Sequence, residues 1–153
     1  MSDPLYKTIL VPTDLSDPSK SAVRQAAALA DCLGSRLVLT YVMEDRLPAM
    51  ILAHTAETEQ QLLERHREHA RKSLNAVAAE LLAGLDVQCI VRQGVDHQQI
   101  VELAKEIDAD LIVLGMHGHG FLVHALAGST TERVLHHAPC PVLVVGQGDG
   151  QQA

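Results

Sequence analysis

The sequence predicts an α/β fold, a parallel sheet with helices laid on its faces, and three observations predict it. Short apolar runs alternate with longer stretches of helical periodicity. Several of the runs are apolar from end to end, as strands covered on both faces must be. The helical stretches carry start and stop signals between the runs. Hydrophobic residues make up 47% of the 153-residue chain and aromatics only 2%, with no Trp, so the core is built from Ala, Val, Leu and Ile. Such small aliphatic cores suit closely packed layers of helix on sheet.

Taken in order, Thr8-Ile9-Leu10-Val11 is the first strand and Leu37 to Val42 the second, rich in branched and aromatic residues. Val87 to Val91 is the third; its mixed polarity suits a sheet edge. Leu111 to Leu114 and Val142 to Val145 are the fourth and fifth. Right-handed crossovers connect them. The first helix opens with Asp17 as N-cap and Pro18 at the first helical position, and Gly34 follows its end. With Asp17 capping, Asp14 is left over at the end of the first strand.

A long helix is expected from about His54 to Ala83, closed by Gly84, preceded by a loop from Met43 to Ala56 able to cover a site or reach a protein partner. Asp96 with Gln99, and Ser129 with Glu132, read as capping boxes of the last two helices, the second of which stops before Pro139. No internal repeat or linker divides the chain, so residues 1–153 are expected to form one domain, with a frayed tail from about residue 147.

Composition excludes several classes of function. A net charge of −7 with scattered Lys and Arg argues against a grip on nucleic acid, and scarce aromatics remove the usual stacking platforms. No apolar run is long enough for a membrane span, and the start lacks the pattern of a signal peptide. Three cysteines without CxxC spacing fit a reducing cytoplasm better than a disulfide framework.

The informative stretch is Gly115-Met116-His117-Gly118-His119-Gly120, running on through Gly128-Ser129. It begins where the fourth strand ends and finishes where the last helix starts. Ligands of open parallel sheets bind beyond the carboxyl ends of the strands, and helix N-termini there attract phosphate. Neither the P-loop nor the dinucleotide fingerprint matches, and the glycines alone are read equally well as a tight turn. Asp14, emerging at the same rim, favours a ligand, because a carboxylate beside a phosphate cradle commonly holds a sugar hydroxyl or a base amine.

The spacing Gly115-x2-Gly118-x9-Gly128-Ser129, with ILVPTD near the start and ERVLHHAPCPVLVV near the end, resembles the universal stress protein family over about Lys7 to Val145. The resemblance implies a three-layer, Rossmann-like open parallel sheet of five strands, order 3-2-1-4-5, with helices on both faces. It places the chain with the ATP-binding members that carry the glycine pattern. By the same resemblance Pro12, Thr13 and Asp14 contact adenosine, and Val42 meets adenine through its backbone. Gly115, Gly118, His119, Gly128, Ser129 and Thr130 surround ribose and phosphates. Met116 and His117, between the first two motif glycines, complete the candidate set.

Where many relatives carry Arg or Lys between the second and third glycines, this chain has only His119 and His124 as ionisable groups, with His117 just before. Phosphate is then expected to rest on backbone N–H groups, more tightly as these histidines protonate. Nine histidines invite a metal reading, but neither His66 with His69 nor His117 with His119 comes with a third ligand, so no protein metal site is assigned. Mg²⁺ would arrive with ATP, on phosphate oxygens and water.

No arginine finger, second carboxylate or GxSxG elbow points to catalysis, so a nucleotide-sensing stress-response module is expected. The alternative is a slow ATPase or phosphotransferase with its own substrate. The wholly apolar fifth strand, Val142, Leu143, Val144 and Val145, is expected at an edge, paired with its twofold mate in a homodimer.

Overall fold

The computed structural model describes residues 3–116 and 129–146. Strands β1 (Thr8–Pro12), β2 (Arg36–Met43), β3 (Val87–Gln93), β4 (Leu111–Gly115) and β5 (Val142–Val145) form one sheet. Its order is β3-β2-β1-β4-β5, and every pairing is parallel. Helices α1 (Asp17–Leu33), α2 (Ala49–Ala53), α3 (Glu59–Leu81), α4 (Asp96–Glu106) and α5 (Ser129–His137) complete the fold.

The two-residue period of the strands sorts the core into two layers. Ile9, Val11, Leu37, Leu39, Leu111 and Val113 face α1 and α3, meeting Ala22, Val23, Ala26, Leu74 and Val77. Leu10, Val38, Ile112 and Leu114 turn to the opposite face, against Ile100, Leu103 and Ala104 of α4 and Val134 of α5. Central strands therefore need apolar residues at every position. Alanines on α1 let that helix lie close to the sheet.

Several boundaries depart from the sequence reading, each for a local reason. The N-cap of α1 is Ser16, not Asp17, because the Ser16 side chain accepts from the Ser19 N–H. Pro18 still sits in the first turn, where a missing N–H removes nothing. The expected helix from His54 begins only at Glu59. Thr58 and Gln61 form a reciprocal capping box there, and the loop before it contains the short α2.

The capping box read at Asp96 and Gln99 does not form: the N-cap is Val95, without a side-chain bond. Gln99 instead accepts from Arg92 Nε at 3.0 Å, and Asp96 accepts from the Thr130 hydroxyl. Ser129 is the first residue of α5, one place inside the cap position expected of it, and residue 128 is outside the described residues. The strands β2 and β3 also run on to Met43 and Gln93, past their expected ends.

Candidate functional site

In a parallel sheet every strand delivers its last residue to the same rim, so β1, β2 and β4 end side by side. The order reverses at β1, where β2 lies on one side and β4 on the other, and crevices form at such points.

The β1 end is a hydrogen-bonded hook. Thr13 donates its N–H to the Thr40 carbonyl at 2.9 Å, which keeps the chain in the sheet one residue beyond Pro12. Its buried hydroxyl lies 2.8 Å from Ser19 Oγ and accepts from the Leu15 N–H at 3.1 Å. Leu15 takes φ +67°, a left-handed conformation that side chains with a Cβ disfavour. The turn reverses the chain onto α1, and the Asp14 carboxylate accepts from the Ser16 N–H at 3.0 Å and from the Ser16 hydroxyl. Asp14 is therefore not left over from capping: it holds the residue that caps α1. That bond also fixes its carboxylate at the rim.

Neighbouring charge is legible in Tyr41, a half-buried residue near the end of β2. Burial pushes its phenol up first, and the Glu44 and Asp14 carboxylates add to the shift. Val42, half-buried, packs against the α4/α5 layer. β2 ends one residue later, at the buried Met43.

The second half of the rim is built by β4 and α5. Gly115 pairs with Val145, and the Met116 N–H donates to the Val145 carbonyl at 3.0 Å. The buried Thr131 hydroxyl donates to the Gly115 carbonyl at 2.8 Å, pinning the first turn of α5 to the end of β4. Thr130 donates to Asp96 in the first turn of α4, so the opening of α5 is held from two sides. Ser129 is exposed. The first-turn N–H groups of a helix have no partner within it and carry partial positive charge, which suits an anion.

Pro12, Val42, Gly115, Ser129 and Thr130 lie on elements that end or begin at this rim, and Thr13, Asp14 and Met116 directly follow the ends of β1 and β4. His117, Gly118, His119, His124 and Gly128 lie outside the described residues. The sequence reading missed Ser16, Asp96 and Thr131. Ser16 is a strong cap type beside Pro18, a signal that was available; the other two are set by contacts between distant elements. Among the described residues no group of three His, Cys, Asp or Glu could hold a metal ion. No helix among them is long and apolar enough to cross a membrane.

Comparison with known proteins agrees with this geometry. The model of the universal stress protein family matches residues 5–146. Universal stress protein Sll1654 of Synechocystis is 34% identical over 149 residues, covering 92% of this chain and 86% of the relative. Universal stress protein MJ0577 of Methanocaldococcus jannaschii is 30% identical over 154 residues, covering 92% and 95%. The solved MJ0577 structure superposes with a TM-score of 0.80 over 94% of this chain and 97% of that one. A universal stress protein solved in complex with cAMP, 26% identical, gives 0.62 over 94% and 98%. With the family model spanning nearly all of it and the sheet order that its motifs imply, the chain belongs to the universal stress protein family.

Proposed function

We propose that the chain binds ATP at the rim between β1 and β4 and acts in the cytoplasm as a nucleotide-sensing module of the stress response. One observation carries the reading: the Asp14 hook and the opening turn of α5 stand at the same rim, beside the point where strand order reverses. Asp14 presents a fixed carboxylate, the chemistry that holds a ribose hydroxyl or an adenine amine. The α5 opening presents backbone donors with the Ser129 hydroxyl, the chemistry that holds phosphate. The donor set fits an adenine nucleotide, and the relative solved with cAMP supports that ligand class.

The Thr13 hydroxyl is bonded to Ser19 and Leu15, so its contribution is to shape the hook. Thr130 reaches phosphate only by sharing or leaving Asp96. Mg²⁺, when bound, neutralises phosphate charge; phosphate oxygens and water supply its ligands. The reading is of holding a nucleotide rather than turning it over. A homodimer through the outer edge of β5 is part of the same proposal. The carbonyls of Pro141 and Val145 accept from Ile112 and Met116, which leaves the alternate residues Val142 and Val144 with backbone groups turned outward.

Calorimetry with Mg-ATP tests the reading. Asp14→Ala should weaken binding by about tenfold or more, the worth of a hydrogen bond to a charged group. Ser16→Ala, which removes the cap but keeps the carboxylate, should weaken it far less. Absence of heat at millimolar ATP overturns the proposal. Phosphate release over many turnovers, abolished by Asp14→Ala, would assign the site to hydrolysis instead.

A further inference from the structure

On the opposite side of the molecule from β5, a cavity of about 530 Å³ lies between α3 and the outer edge of β3. Its floor is the run Val87 to Val91, and its wall includes Arg67, Arg71 and Asn75 of α3. Those three residues recur every four positions and so form one stripe along the helix.

Backbone parity fixes what the edge offers. The Leu37 N–H donates to the Asp86 carbonyl, and the Gly94 N–H donates to the Met43 carbonyl, both within 2.9 Å. Even-numbered residues of β3 therefore turn their backbone groups toward β2. Val87, Cys89, Val91 and Gln93 turn theirs outward, along an edge with no neighbouring strand among the described residues. Their side chains rise toward α3, where Val87, Cys89 and Val91 pack on its layer of the core.

Charge selects the occupant. Positive side chains over a sheet edge ordinarily guard it, and a guard keeps its charge in water. Arg67 does so only in part: it is half-buried, its Nε is buried without a hydrogen-bond partner, and Nη2 donates to Gln93. A buried donor left unmet costs free energy, and a carboxylate would offset that cost. Arg71 is 61% exposed, with only a 4.0 Å approach to Glu68.

Spacing agrees. Arg67 reaches Gln93 and Cys89 lies against the Leu74 carbonyl, so α3 runs antiparallel to β3 above it. Arginines four apart on a helix stand about 6 Å apart along its axis. Alternate residues of an added strand stand about 6.6 Å apart.

We propose that the outer edge of β3, under the Arg67-Arg71-Asn75 stripe, docks an extended acidic peptide segment of a partner protein. The segment adds a strand to the sheet: its backbone pairs with Val87, Cys89, Val91 and Gln93, and alternate carboxylates meet the two arginines.

The probe is a blocked hexapeptide alternating glutamate and threonine, titrated into the full-length ¹⁵N-labelled protein. The backbone amide signals of Val87, Cys89, Val91 and Gln93 should shift and gain exchange protection. Those of Gln88, Ile90 and Arg92, already paired with β2, should gain none. Arg71→Gln, at an exposed position, should weaken binding about tenfold, and Arg67→Gln should do so independently. Equal binding of the counterpart that alternates lysine and threonine overturns the proposal. So do shifts confined to α3 with unmoved β3 amides, which would mark a site for free anions, and so does a peptide that leaves every signal in place.

Discussion

At one edge of the sheet β3 runs seven residues with polar side chains among its apolar ones; at the other β5 runs four, all Val or Leu. Beyond β3 the arginine stripe of α3 overhangs the edge and a cavity opens beside it. On β5, Leu143 is 37% exposed, and the strand itself brings no charge. Both edges turn alternate backbone groups outward, at four residues of β3 and two of β5, and their side chains differ as well. An apolar edge loses least by meeting a copy of itself, whereas an edge under two cations repels a like edge and accepts an acidic one. The rim where β1 and β4 end lies between the two edges.

The largest effect is expected at β5. In the proposed β5 dimer, Val144→Lys would bring like charges into the interface, which cost several kcal/mol. Sedimentation should show the parent as a dimer, as the proposal requires, and Val144→Lys as a monomer at the same concentration. Gln88→Lys on the exposed face of β3 should leave the oligomeric state unchanged. A dimer that survives Val144→Lys and yields to Gln88→Lys would exchange the roles of the edges.

Next comes the layer behind the β3 edge. Leu74 is fully buried and carries the wall of the cavity as well as the core under α3. Leu74→Ala should cost about 3 kcal/mol in urea unfolding, from lost transfer energy and the void left behind. A loss below about 1 kcal/mol would mean that α3 settles onto the sheet, closing the cavity that distinguishes this edge.

The contrast between edges was visible in the sequence, because it resides in consecutive residues: VQCIV against VLVV. Strand order was implied by the resemblance to the family, whereas the apolar runs located strands, since a strand covered on both faces has no freedom to be polar. What escaped were hydrogen bonds that compete for the same side chain. Asp96 has the type and spacing of a cap, yet it receives Thr130 from a helix 34 residues away, and Gln99 is taken by Arg92. Asp14 and Asp17 are both plausible caps beside Pro18, and the serine between them wins by placing Oγ toward the Ser19 N–H. The glycine pattern and Asp14 were both read from the sequence as candidate site residues. What it did not show was that Ser16 holds Asp14, through a turn at the left-handed Leu15 that no local propensity favours.

A smaller effect is expected at that hook. Ser16→Ala removes the cap of α1 and one partner of Asp14, and loss of a serine cap costs about 1 kcal/mol. The rim at β4 depends on Thr131 rather than on Ser16, so the loss should appear as a lower urea midpoint while the β4–β5 amides keep their exchange protection. Protection lost equally on both sides of the rim would show its halves to be one cooperative unit.

The smallest effect separates the edges by pH. Arg92, on β3, forms a fork with Glu106 of α4 at 2.8 and 3.0 Å; β5 has no charged side chain with which to do the same. The bond from Arg92 is the main cause holding the Glu106 carboxyl below its ordinary value. A carboxylate whose pKa is lower folded than unfolded stabilises the fold at pH above its unfolded value, about 4.3. That contribution is lost as pH falls through the folded value. Glu106→Gln should therefore be less stable than the parent at pH 7, and the gap should close as acidification protonates Glu106 in the folded state. Exposure to solvent keeps the gap small, and added salt should narrow it further at pH 7. A gap of constant size from pH 7 to 3 would assign the contribution of Glu106 to its packing on β3 rather than to its charge.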